Sequence, residues 1–209
     1  MAEKTKKNRK TLRTGVGIAC FPHIFKETVS DNDKGEDVYE VMILIDKEDT
    51  ATVKAISDAA KEIAKAEFED AWEDANLPLR DGDKEKNLRA EDGTKRGEKY
   101  PERLGKYFFT ARSKRPIPVF DKNGDIITDP SAVYAGSKII LNVDLYPYEM
   151  KGNMGVGVGL NGVMKVADGE PLTAAGGEKT ADALFGDVDV SAFADADEKP
   201  KKKGKKKKG

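Results

Sequence analysis

Residues 137–166, SKIILNVDLYPYEMKGNMGVGVGLNGVMKV, constrain the fold more than any other stretch of the chain. Ile139, Leu141, Val143 and Leu145 alternate with Ile140, Asn142, Asp144 and Tyr146. A period of two is the pattern of a half-buried antiparallel strand. Gly155, Gly157 and Gly159 then alternate with Val156, Val158 and Leu160. Glycine weakens a strand, so a row of it on one face calls for sharp curvature, or for close approach of another backbone or a ligand. Two such strands joined by a turn, with aromatic and polar groups facing outward, predict a small bent barrel that binds something extended.

The remaining elements fit a mainly β protein, a β-barrel with one long amphipathic α-helix. Residues 11–21 read as a first strand, 22–35 as a connection, and 38–45 as an apolar central strand. Asp49 or Thr50 can cap a helix over about residues 50–75. Its stripe is Val53, Ile56, Ala60, Ile63, Ala64, Phe68 and Ala71 or Trp72. The charged residues 79–103 predict a mobile loop, 104–113 a third strand, and Asn123-Gly124 a hairpin turn from which 126–134 returns. The expected division is a disordered basic arm at 1–10 and a barrel domain at 11–170. An acidic tail at 171–198 and a polylysine end at 199–209 follow.

A net charge of −1 hides strong segregation. Residues 199–209 hold eight lysines and no acid; setting them aside takes the 37 basic residues down to 29 against 38 acidic ones. Lys4, Lys6, Lys7, Arg9, Lys10 and Arg13 face only Glu3 at the other end. Basic ends favour a polyanionic partner, whereas an acidic body disfavours a wide nucleic-acid footprint, so a binding surface has to be a local groove. One cysteine, Cys20, and one histidine, His23, leave no material for a disulfide framework or a zinc site, and fit a reducing compartment. No apolar run approaches the roughly 18 residues of a membrane span, and no apolar segment follows the basic N-terminus as in a secretory signal. The expectation is a cytoplasmic protein without membrane contact.

Gly157 to Gly162 matches G-x-G-x-x-G in form, but a dinucleotide site needs a helix after the glycines, and here Val163-Met164-Lys165-Val166 continues a strand pattern. Asp81, Asp83 and Glu85, or Asp31 and Asp33, lie in charged loops without the ligand series of a calcium loop. More informative is KYFFTARSKR at 106–115, which interleaves aromatic and basic residues along a strand and its exit. Aromatic platforms edged by cations suit single-stranded nucleic acid, because every base has a π-face. One side of the strand can fill the core while the other offers platforms, and ordinary core aromatics are the competing reading. The candidate stacking residues are Tyr107, Phe109, Tyr134, Tyr146 and Tyr148, with Phe21 and Phe25 as further rings. The pattern selects Arg13, Lys106, Arg112, Lys114, Arg115 and Lys151 for phosphates. No catalytic residue, metal or cofactor is expected.

Several short pieces occur in the order found in a known family: FPHIF (21–25), YEVMILIDKED (39–49), LRDGD (79–83), YFFTARSKRPIP (107–118), VYAG (133–136) and the stretch from Tyr146 to Val166. Over about residues 11–170 the chain resembles phage single-stranded DNA-binding proteins with an OB-fold. The resemblance implies a non-enzymatic, sequence-independent protein that coats and protects single-stranded DNA in phage replication, recombination or repair. It implies the cytoplasm of an infected bacterial cell, and phage or host replication proteins as partners of the acidic tail. Monomer and dimer both stay open. The chain departs from the family's acidic terminus by adding lysines after it. A Mg²⁺-dependent nuclease or resolvase using the loop acids, and a phage structural or scaffolding protein, are the rival readings.

Overall fold

The apolar face of one long strand organises the core. The computed structural model describes residues 8–29, 37–84, 100–150 and 152–172. Its strands are β1 (Lys10–Arg13), β2 (Gly17–Val29), β3 (Asp37–Asp46), β4 (Arg80–Asp81), β5 (Lys106–Ser113), β6 (Val119–Phe120), β7 (Lys138–Met150) and β8 (Asn153–Ala167), with one α-helix, α1 (Thr50–Phe68). β7 pairs with β2 at Lys138 and Ile139, with β1 from Asn142 to Leu145, and with β8 along nearly its whole length. The ring β2-β3-β5-β8-β7 is thereby closed. Its pairs are antiparallel except β5 with β8, where Arg112 lies beside Gly159. A closed five-stranded antiparallel ring with one parallel pair is the OB type of barrel.

Ile139, Leu141, Val143 and Leu145 are each at most 1 % exposed, as their alternation requires. They meet Val41, Ile43 and Ile45 of β3, Phe109 and Ala111 of β5, and Val156, Val158 and Leu160 of β8. Ile56, Ala60, Ile63 and Ala64 of α1 join the same core, so the expected helix stripe packs against the barrel. Asp49 caps the helix by accepting the Thr52 amide at 3.0 Å. The α-helix stops at Phe68, where Glu69 takes φ 46°, and a 3-10 segment, Glu69–Asp74, carries Trp72 instead of the one helix expected to residue 75.

Local chemistry explains the other departures. The expected strand 11–21 is broken between β1 and β2 because Gly15 is pressed against the start of α1. Its amide donates to Thr52 Oγ1 at 2.8 Å, and a Cβ there would fall 2.3 Å from Asp49 Oδ2. Residues 22–29, expected as a connection, continue β2. Pro22 is accommodated at a bulge, where the register shifts between Cys20 and His23. The Asn-Gly turn forms, with Gly124 at φ 92° and Asp121 accepting the Asn123 and Asp125 amides. The return after it is only a bridge at Ile126, followed by a 3-10 turn at Pro130–Ala132. Within the expected loop 79–103, Arg80–Asp81 forms β4 on β5, and Pro101–Arg103 is a 3-10 turn. Residues 1–7 of the arm, 85–99 of the loop, and both tail segments from residue 173 lie outside the described residues.

Replacing Asp49 with alanine removes an N-cap that also borders the β1–β2 junction. Urea unfolding should show a loss of about 0.5–2 kcal/mol, toward the upper end because Gly15 loses its neighbour as well.

Candidate nucleic-acid interface

Facing away from the core, β7 presents Asn142, Asp144, Tyr146 and Tyr148, all half-buried. Across the ladder their partners on β8 are Gly162, Gly159, Gly157 and Gly155. A Cβ at Gly157 would stand 2.7 Å from Cζ of Tyr146, and one at Gly155 would stand 2.9 Å from Oη of Tyr148. Both tyrosine rings therefore occupy space that side chains of β8 would need. Gly155 has a second reason to lack a side chain, since the Asn76 carbonyl reaches in to accept the Val156 amide at 2.9 Å. The expected backbone approach thus holds at Gly155, while at Gly157 a tyrosine ring takes that place. β8 runs on as strand to Ala167, so its glycines have no dinucleotide geometry.

Thr110 and Arg112 of β5 border these rings. Together with Arg80 of β4, Phe108 and Met150 they line a groove of about 420 Å³ containing Tyr146 and Tyr148. Arg112 is half-exposed, and its Nε donates to Glu40 Oε2 at 2.7 Å across the β3–β5 ladder. On the far side of β7 the Arg9 guanidinium stands 5.6 Å from the Tyr146 ring centroid. Arg13 lies opposite Asn142 and so shares the outer face. Thr11 donates to Asp144 Oδ1 at 2.6 Å, which ties β1 to the outer face of β7. The surface can hold flat rings between two cationic edges.

Of the residues selected from sequence, Tyr146, Tyr148 and Arg112 come together, with Arg13 farther along the same face. Phe109 belongs to the strand that borders the groove, but it is 2 % exposed with its side chain in the barrel core, so it offers no ring face for stacking. Tyr107 is paired with Ile45, whose side of the sheet is the inner one, and Lys47 Nζ stands 5.2 Å from its ring. Aromatic residues at 107, 108 and 109 fill both faces of β5, so alternation alone does not separate inner from outer. Tyr134 lies near the opposite end of the β7–β8 ribbon, donates to the Gly169 carbonyl at 2.9 Å, and pins the exit of β8. Phe25 packs against the core. Lys106 pairs with Asp46 at 3.3 Å and lines a separate cavity of about 290 Å³. Lys114 and Arg115 are exposed where the chain leaves β5, and Lys151 lies outside the described residues. Sequence reasoning missed Arg80, whose LRDGD motif sat in the expected loop, and Arg9, which sat in the expected arm.

The loop acids do structural work. Lys47 bridges Asp81 at 2.6 Å and Asp83 at 2.7 Å, and these hydrogen bonds raise its pKa, Asp81 contributing most. The Gly105 amide donates to Asp83 at 2.8 Å, and this bond, followed by the Lys47 contact, holds the Asp83 carboxyl below its ordinary 3.8. The Gly82 amide donates to the Lys106 carbonyl at 2.9 Å, so the base of the segment is tied to β5 and Arg80 is positioned over the groove. Among the described residues no three His, Cys, Asp or Glu side chains gather as metal ligands. Asp31, Asp33 and Glu85 lie outside them.

Three comparisons bear on this surface. The profile of a family described as Enterobacter phage Enc34, ssDNA-binding protein, matches residues 11–196. No curated protein matches the chain. Among solved structures, the single-stranded DNA-binding protein from bacteriophage Enc34 in complex with ssDNA is 21% identical with a TM-score of 0.63, the match covering 82% of this chain and 100% of that one. gp2.5, a single-stranded DNA-binding protein encoded by bacteriophage T7, is 20% identical with a TM-score of 0.54, over 90% and 100% of the two chains. At these identities the likeness establishes a shared fold.

Two outcomes follow from the geometry. Gly157→Val should expel the Tyr146 ring and alter its aromatic NMR resonances and the near-UV dichroism, while the far-UV spectrum keeps its strand signature. Because the Asp83 carboxyl titrates below its ordinary value, its contribution is complete above pH 3.8 and lost as pH falls through the lower folded value. Amide exchange at Gly105, corrected for intrinsic rate, should accelerate in that acid range and stay flat from there to neutrality.

Proposed function

The chain belongs to the family of the Enterobacter phage Enc34 single-stranded DNA-binding protein, and from that premise we propose that it binds single-stranded DNA on the outer face of β7, β8 and β5. The observation that carries this reading is the pair Tyr146 and Tyr148, laid over a glycine row and bordered by Arg112 and Arg80. Bases stack on the tyrosines whatever their identity, at about 1–3 kcal/mol each. Arg112, Arg80, Arg9 and Arg13 receive phosphates, and Lys114, Arg115 and Lys151 extend the cationic approach. The Arg112–Glu40 pair is exposed enough on the arginine side that a phosphate can replace the carboxylate at little cost.

The role is non-catalytic: the strand is coated and protected during phage DNA replication, and in recombination or repair, in the cytoplasm of the infected cell. The acidic residues of 171–198 serve phage or host replication proteins, and the lysines of 199–209 offset their charge beside them. Asp81 and Asp83 are committed to Lys47, which disfavours the nuclease reading.

Fluorescence anisotropy with oligo-dT, a matched duplex and RNA, at two salt concentrations with and without Mg²⁺, tests the proposal. Salt-sensitive binding to oligo-dT without cleavage is expected. Changing Tyr146 and Tyr148 together to alanine should weaken it by about 1–3 kcal/mol per base lost, with the melting temperature held. Mg²⁺-dependent cleavage, or a double variant that binds like the parent, overturns the reading.

A further inference from the structure

The bulge in β2 holds an unusual residue. Cys20 pairs with Met42 and His23 with Glu40, so three steps on β2 match two on β3. Phe21 falls in this bulge with φ 48°, a left-handed conformation that a bulky side chain adopts only under strain. Burial does not compensate, because Phe21 is 42 % exposed. Its ring stands edge-to-face on Tyr100, with centroids 5.8 Å apart and planes at 86°. The Arg103 guanidinium supports Tyr100 at 4.2 Å and lies 5.0 Å from the ring of Phe108, which borders the tyrosine groove.

Register places Phe21 in line with the groove. Tyr146 is opposite Gly157, and stepping back two residues from the parallel pair of Arg112 and Gly159 sets Thr110 beside Gly157. Thr110 is paired with Met42, and Met42 with Cys20. One row around the barrel therefore runs from Tyr146 through Gly157, Thr110 and Met42 to Cys20, where Phe21 is bulged outward. At a strand spacing of about 4.8 Å, Phe21 lies roughly 10 Å beyond β5 along this row.

We propose that Phe21, braced by Tyr100, is a second base-stacking platform, reached by single-stranded DNA that crosses the barrel from the Tyr146–Tyr148 groove. The inference rests on the groove being the single-stranded DNA site. The strained backbone turns the ring outward at the end of the row, and the edge-on contact with Tyr100 fixes it while leaving it exposed.

The test uses the full chain with oligo-dT of about five and about fifteen nucleotides, near the two ends of the range of OB-fold site sizes. Phe21→Gly removes the ring and suits the left-handed backbone, so its melting temperature should not fall. It should weaken the longer oligonucleotide about five-fold or more and leave the shorter one unchanged. Phe21→Trp should restore the parent affinity. If Phe21→Gly binds both lengths like the parent while the Tyr146/Tyr148 double variant loses affinity, the second platform is wrong and the groove stands. Equal weakening of both lengths by Phe21→Gly also overturns a separate platform. If neither variant weakens either oligonucleotide, the groove itself is misassigned and the inference falls with it.

Discussion

Everything in this fold depends on β7 being paired along three different partners. A strand paired only with β8 would leave an open edge, with unpaired backbone groups facing water and a sheet free to flatten. Because β7 meets β2 at one end and β1 farther along, the sheet closes and curves. Closure then decides the fate of every second residue. One set goes to an interior sealed by α1, and the other is displayed on a convex surface. The core and the outer face are two sides of one alternation.

The glycine row and the tyrosine pair are a single device on that surface. Tyr146 and Tyr148 cross from β7 over positions where β8 has no side chains, so their rings rest on backbone. A ring supported in this way has little freedom left to lose, which under the proposed reading would spare some of the ordering cost of binding. It also explains why small residues recur at every second position: a Cβ at Gly157 would displace the ring, and one at Gly155 would strike both Tyr148 and Asn76. Strand propensity is given up locally for a rigid platform.

The same logic separates what the sequence made legible from what it did not. The inward face of β7, the stripe of α1, the Asn-Gly turn and the outward tyrosines each rest on local periodicity or turn chemistry, and each was readable. Tyr107 and Phe109 were misplaced because three consecutive aromatics offer no polar contrast to mark the outer face, and Phe108 is covered by Cys20 and Leu44 rather than by solvent. β4 escaped notice because its order comes from Lys47 and β5, both distant in sequence from Arg80. The length of β2 was hidden by Pro22, which ends a strand in ordinary reading but here sits in a bulge.

Charge in the groove obeys a related economy. The body of the chain is acidic, yet single-stranded DNA is a polyanion. Arg112, on the β5 border of the groove, is held by Glu40. A phosphate arriving at such a cation displaces a carboxylate rather than meeting an unpaired charge, so the net electrostatic gain per contact is smaller than for a free arginine. The displaced carboxylate also remains nearby and repels the backbone. On the reading proposed above, stacking on the tyrosines would supply a large share of the affinity in the barrel itself, and a duplex, whose bases are already stacked, would gain nothing from the platform.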